Sequence, residues 1–244
     1  MTQTIVLLHY FSGSSESWRY VARCLPADRK VVTLDLPGFG QSPMIANPSI
    51  RGYSTWVWQQ LKHLGIERFV LIGHSMGGKI AMDMAAMQSS QPGDSQRHSG
   101  LQRLGLIAPS PATCEPMPES KKDELESTHP SAAAAENMVD DSAISRLSMD
   151  RRDLAVQTNL QSHRQAWRWW LREGMEHSIA KEASQIDVPV SVLASDDDPV
   201  IPMANLERDV IGIIPDSRLT RVRDVGHLMP LEDERLVADW IANL

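Results

Sequence analysis

Ser75 lies in the string Gly73-His74-Ser75-Met76-Gly77-Gly78, directly after the strand-like run FVLI and directly before the helical run KIAMDMAAM. A Gly-x-Ser-x-Gly string alone recurs by chance, but a strand, a sharp turn and a helix around it make the signal specific. A turn of that kind lifts the hydroxyl clear of a sheet, and the glycines on either side spare the turn a clash of side chains. The free amides at the start of the helix favour negative charge that develops beside the serine. The alternative is a glycine-rich turn with an idle serine, which this context disfavours.

A serine hydroxyl is a weak nucleophile until a base takes its proton. Val225-Gly226-His227 follows the last predicted strand and precedes the final helix, so His227 falls at the same sheet edge as Ser75. Imidazole suits the task because it titrates near neutrality. A carboxylate must then fix the imidazole tautomer and stabilise the imidazolium. The strand-like PVSVLA ends in Ser195-Asp196-Asp197-Asp198-Pro199, and composition leaves the choice among its three aspartates open. The preceding strand ends in Ala108-Pro109-Ser110 and offers no acid there.

These residues need a scaffold that brings strand ends together. Short apolar runs at Thr4–His9, Lys30–Asp35, Phe69–Gly73, Leu101–Ala108, Pro189–Ala194 and Leu219–Arg223 read as buried parallel strands. Amphipathic or apolar stretches at Ser15–Leu25, Ile50–Leu64, Met76–Gln88 and Leu231–Leu244 read as helices. Alternating strands and helices imply an α/β class protein with a doubly wound, mostly parallel sheet of about six strands. Ligands bind such sheets at the carboxyl ends of the strands.

Two segments interrupt the alternation. Gln88–Gly100 is polar and rich in turn formers and reads as a surface loop. The stretch 113–185 is too long for a simple crossover and holds several helical patterns, among them Ser131–Val139 and Arg164–Glu173. It reads as a helical cap (lid) inserted into a core made of 1–112 and 186–244. Trp167, Trp170 and Leu171 share one helix face, so they dock the cap on the core or wall an apolar pocket, and docking is the simpler reading.

Bulk composition narrows the partners. The 244 residues carry 31 Asp plus Glu against 24 Lys plus Arg, a formal charge of −7, and no dense basic run, which argues against nucleic acid. The apolar run Ile5–Leu8 is too short to span a bilayer, and no basic leader or cleavage site is recognisable at the start. With only Cys24 and Cys114, a disulfide scaffold is not expected; free thiols and a cytoplasmic location are. The eight histidines are scattered without metal-ligand spacing, so no metal site is expected.

The strings LLHYFSGSSESW, DLPGFGQS, GHSMGG, SDDDPVIP and DVGHLMPLED together resemble the α/β-hydrolase superfamily, close to its small carboxylesterases and C–C-bond hydrolases. The resemblance runs over nearly the whole chain and is weakest in the cap and the Gln88–Gly100 loop. It implies the α/β-hydrolase fold without the usual leading hairpin, and places the catalytic acid on Asp198, just before the proline. Asp196 and Asp197 are then solvated or capping neighbours, and Asp35 with the turn Pro37–Gly40 shapes the fold. The resemblance implies an oxyanion hole from the backbone N–H groups of Phe11 and Met76. Tyr10 stands where the family has glycine, which alters the oxyanion loop or narrows the pocket mouth. Candidates for the substrate pocket are Tyr10, His74, Trp167, Trp170 and Leu228.

The expected activity is cleavage of a small carboxylic ester through an acyl-enzyme on Ser75, with no metal or organic cofactor. Serine at the nucleophile position argues against dehalogenase and epoxide hydrolase chemistry, in which the related enzymes resemble one another in using aspartate. A C–C hydrolase or a lactonase would use the same triad, and a non-catalytic ligand-binding receptor could share the scaffold. A small-molecule substrate is the expected partner, with no nucleic acid and no membrane, on a monomer or weak homodimer.

Overall fold

A computed structural model describes residues 4–90 and 99–244. Six strands, β1 (Thr4–Leu8), β2 (Lys30–Leu34), β3 (Phe69–His74), β4 (Leu101–Ile107), β5 (Val190–Ser195) and β6 (Arg218–Val222), form a single sheet. Their order is β2-β1-β3-β4-β5-β6 and every pairing is parallel. The six sequence-predicted strands are all present, with no end displaced by more than one residue. From β1 the chain first moves to one side and then returns to the other. The strand order therefore reverses between β1 and β3, which opens a crevice outside their carboxyl ends.

Side-chain alternation along β1 explains why both faces are covered. Val6 and Leu8 point into one apolar cluster, with Val57 and Leu61 of α2 (Ile50–His63) and Ile80 and Met84 of α3 (Met76–Ser89). Ile5 and Leu7 point into another, with Val21 of α1 (Arg19–Cys24) and with Val237 and Ile241 near the C-terminus. Helix α3 is buried on nearly all sides, which its Ala- and Met-rich sequence permits.

Two predicted helices differ in detail. The stretch expected as Ser15–Leu25 opens as a 3-10 turn, Ser15–Trp18, because Ser14 accepts the Glu16 amide and caps it there. The stretch expected as Leu231–Leu244 is broken in two. Asp233 takes a non-helical backbone conformation and accepts the Leu236 N–H at 2.9 Å, capping a new helix.

Between β4 and β5 run α4 (Glu119–Thr128), α5 (Ala132–Ser142), α6 (Met149–Gln161), α7 (Arg164–Trp169) and α8 (Ala180–Ala183). Helix α7 continues into a π turn, Trp170–Gly174, so that Trp167, Trp169 and Trp170 are all buried against the large cluster. After β5 come α9 (Met203–Leu206) and, beyond β6, α10 (Met229–Glu232) and α11 (Glu234–Ala242). Of the predicted Gln88–Gly100 loop, residues 91–98 lie outside the described residues. No helix among the described residues is long and apolar enough to cross a membrane.

Candidate active site

The turn between β3 and α3 is tight because its neighbours are glycines. A Cβ on Gly73 would come within 2.4 Å of the Gly77 carbonyl oxygen, and one on Gly77 within 2.6 Å of the His9 carbonyl. Ser75 itself sits at φ 54°, ψ −117°, a region nearly reserved for glycine, at a cost of about 1–3 kcal/mol. The turn is fastened on two sides. The Ser75 N–H donates to the Ile107 carbonyl at 3.1 Å, and the Ser75 carbonyl accepts from Gly78 at 2.8 Å and from Ser110 at 3.0 Å. The hydroxyl is left out of this fastening: it makes no capping bond to α3.

His227, in the loop after β6, is buried, and its Nδ1 lies 2.9 Å from Oδ2 of Asp198, in the turn after β5. The other carboxylate oxygen of Asp198 accepts from the N–H groups of Val200 at 2.8 Å and Ile201 at 3.0 Å. Burial raises the carboxyl pKa, but the charge and hydrogen bond of His227 and these two amides outweigh it, so Asp198 titrates below the usual range. An ionised Asp198 can only accept, so Nδ1 carries the proton and Nε2 carries the lone pair in the neutral ring. Burial lowers the His227 pKa, yet the charge and hydrogen bond of Asp198 more than reverse this and raise it above the ordinary histidine value.

Of the other two aspartates in the run, Asp196 pairs with Arg221 and Arg223, while Asp197 accepts the Asp224 N–H at 2.8 Å. Both brace the loop that carries His227 from outside, and Asp198 alone among them meets the imidazole.

Two further histidines lie buried under the site. His74 donates from Nε2 to the His227 carbonyl at 2.8 Å, and its ring centroid is 5.2 Å from that of His227. Burial, aided by the neighbouring His227, drives its pKa down to about 3, so it is a neutral strut. His9 donates from Nδ1 to the Tyr10 carbonyl at 2.7 Å and accepts the Leu36 N–H on Nε2 at 3.0 Å. Burial lowers it to about 4. It thereby fixes the chain just before Phe11. Met76 is the first residue of α3, so its N–H has no acceptor within the helix. Asp35 accepts the Ser15 and Gln41 amides at 2.7 and 2.8 Å and shapes the neighbouring loops.

Ser75 and His227 line one mostly apolar cavity, together with Tyr10, Phe11, Trp170 and Leu228. Apart from Ser12 and Val200, the remaining wall comes from the segment between β4 and β5, including Met138, Leu171 and Met175. Two of the sequence-predicted pocket residues do not line this cavity. His74 lies behind His227 rather than in the cavity, because its Nε2 is spent on the His227 backbone. Trp167 does not line it either: the indole stacks on His129 with centroids 4.0 Å apart and donates to the Leu125 carbonyl at 2.9 Å. It packs against Phe11 at 4.5 Å and so docks the segment on the core. Tyr10 fills the space its missing glycine would have left, packing with Val139, Val156 and Leu228.

Sequence reasoning missed two charged groups. Glu115 lines the cavity, and Lys79, on α3, is fully buried. Lys79 Nζ donates to the carbonyls of Thr113 at 2.9 Å and Met175 at 3.2 Å. Burial lowers its pKa to about 8, resisted by the charge of Glu115. Nothing local in the string around either residue marks it: Lys79 stands on an apolar helix and Glu115 in a loop, and only the tertiary packing joins them.

Comparison with known proteins agrees with this architecture. The family model described as alpha/beta hydrolase fold matches residues 3–95. The chain superposes on an esterase from Exiguobacterium antarcticum with a TM-score of 0.87, covering 99% of this chain and 91% of that one at 16% identity. The chain has the α/β-hydrolase fold. An enol-lactonase from Burkholderia xenovorans LB400 shares the fold at a TM-score of 0.84 and 18% identity, over 100% of this chain and 91% of that one. A curated relative, the 2-succinyl-6-hydroxy-2,4-cyclohexadiene-1-carboxylate synthase of Klebsiella pneumoniae, is 39% identical over 105 residues. That match spans 40% of this chain and only 40% of the relative's length. On the α/β-hydrolase scaffold the Ser, Asp, His chain order seen in Ser75, Asp198 and His227 is the usual one.

Proposed function

We propose that the chain is a serine hydrolase that cleaves small carboxylic esters through an acyl-enzyme on Ser75. The observation that carries this reading is the 2.9 Å contact of Asp198 with Nδ1 of His227, made beside a cavity that His227 shares with Ser75. It holds the imidazole in the tautomer whose Nε2 can take the serine proton.

In this reading Ser75 attacks the ester carbonyl as His227 Nε2 accepts its proton. The tetrahedral oxyanion is met by the N–H groups of Met76 and Phe11, each contributing about 3 kcal/mol to the lowering of the barrier. His227 then returns the proton to the departing alcohol and activates water to release the acid. Asp198 stays ionised throughout and stabilises the imidazolium. The helices between β4 and β5 act as a cap that walls the acyl site, and the apolar lining suits a short aliphatic substrate.

Hydrolysis of p-nitrophenyl esters from acetate to octanoate, by the wild type and by Ser75→Ala, tests the reading. Turnover by the wild type with a loss of at least a thousandfold in the variant is expected. Equal activity in the two proteins would remove Ser75 from the mechanism.

A further inference from the structure

The cavity is mostly apolar; beside Ser75 and His227 its lining holds Ser12, Ser142 and a single carboxyl, that of Glu115. A carboxyl in such surroundings is costly unless its oxygens are matched. One is: Oε2 accepts the hydroxyl proton of Ser110 at 2.5 Å. The other, Oε1, takes no hydrogen bond from any described residue. The backbone around it is firmly set, because the Glu115 N–H donates to the Met175 carbonyl at 2.8 Å and Ser110 is itself tied to the Ser75 carbonyl. The carboxyl is therefore held beside the nucleophile with one acceptor unspent.

We propose that Glu115 is the specificity-determining group of this cavity and takes a hydroxyl of the substrate on its unspent oxygen. The inference rests on the ester-hydrolase reading above and names the substrate class within it: esters that carry a free hydroxyl on the acyl chain or on the alcohol. A neutral donor fits better than a cation. Lys79 already lies close enough to stabilise the charge of Glu115, so an ammonium group on the substrate would meet a site whose countercharge is supplied. Substrates bearing a carboxylate would face the Glu115 carboxyl and are selected against. Burial raises the Glu115 pKa against the opposing pull of Ser110 and Lys79, and a carboxyl in either protonation state keeps an oxygen that can accept. A site built to bond a hydroxyl discriminates strongly against the analogue that lacks it, because the carboxyl then stays buried and unmatched.

Two matched pairs test this by titrimetric ester hydrolysis: ethyl 3-hydroxybutyrate against ethyl butyrate for the acyl side, and glycerol monobutyrate against propyl butyrate for the alcohol side. The wild type is expected to favour the hydroxylated member of one pair by roughly tenfold or more in kcat/KM. Glu115→Leu is expected to bring that ratio near unity while still hydrolysing the plain ester, and Glu115→Gln, which keeps an accepting oxygen, to retain part of it. A purely structural role for Glu115 would lower both members alike and leave the ratio unchanged, which overturns the inference. A wild type that hydrolyses both members of each pair equally also overturns it and leaves the esterase reading intact. A wild type that hydrolyses none of the four esters overturns both, the esterase reading being the one that failed.

Discussion

The main-chain N–H of His227 donates to the carbonyl of Ser142, the last residue of α5, at 2.8 Å. The loop that presents the imidazole is thus bonded to the segment that walls the cavity. Glu232 strengthens the same junction: its Oε2 accepts the N–H groups of Ile144 at 3.0 Å, Ser145 at 2.9 Å and Gly226 at 3.0 Å. One carboxylate oxygen so holds two chain segments in register.

Glu232→Ala is expected to destabilise the fold by about 2 kcal/mol, since it strands three amides at a partly exposed junction. It is also expected to lower kcat/KM, because the imidazole loop and the adjoining cavity wall lose a shared tether. Urea unfolding and steady-state kinetics on one preparation check both. A stability change below about 0.5 kcal/mol would show that water replaces the carboxylate without loss.

The pH dependence of catalysis follows from His227. Burial works against its protonation, but Asp198 overcomes this and holds the pKa above the ordinary value near 6.5. The base must be neutral to act, so kcat/KM should rise with pH along an acid limb centred above 6.5. Glu232 also favours the protonated ring, so Glu232→Gln should move that limb to lower pH. A limb centred below 6.5 in the wild type would contradict the assignment of Asp198.

His9 and His74 make stability rise with pH as well, through pKa shifts opposite in direction to that of His227. Their folded pKa values, about 4 and about 3, lie below the unfolded value of 6.5, so the unfolded chain takes up protons first as pH falls. Each group then costs about 1.4 kcal/mol of stability per pH unit below 6.5 until its folded pKa is reached. Between pH 7 and pH 5 the two together should remove about 4 kcal/mol. His74→Gln, which keeps a donor toward the His227 carbonyl, should roughly halve that loss. Chemical denaturation at the two pH values is the check, and a flat profile would refute the buried neutral state.

Position 75 should be more stable as glycine than as serine. The backbone angles there carry strain that glycine does not feel, so Ser75→Gly is expected to gain about 1 kcal/mol after the entropy of the unfolded chain is counted. Ser75→Ala keeps the strain and should change stability little. Thermal melts of the three proteins separate these outcomes.

The strands were legible in the sequence because a parallel sheet buried on both faces demands short continuous apolar runs, and runs such as Ile5–Leu8 have no other use. Ser75 was legible because its glycines answer to a local steric need. Which of the three adjacent aspartates meets His227 was not settled by composition; it is the turn after β5 that aims Asp198 at the imidazole and its neighbours at Arg221 and the Asp224 amide. His74 was a pocket candidate beside Ser75 and Trp167 one on the apolar face of the cap; the fold turns the His74 Nε2 to the His227 carbonyl and docks Trp167 as its helix spacing favoured. Lys79 and Glu232 carried no signal, since each matters through backbone groups that any residue could supply, and Glu115 none because only the tertiary packing turns its carboxyl into the cavity.

Lys79 binds carbonyls at both places where the chain leaves the sheet and returns to it, Thr113 and Met175, and the Ile179 N–H closes the same neck on Ala112 at 2.7 Å. The intervening sixty or so residues therefore form a loop cinched at its base, while Ser75, Asp198 and His227 stay at the strand ends outside it. A segment tied off in this way is a unit of exchange. Recombination at that neck replaces the ceiling of the cavity, and with it the shape of molecule admitted, provided the new segment keeps a carbonyl for the His227 N–H and amides for Glu232.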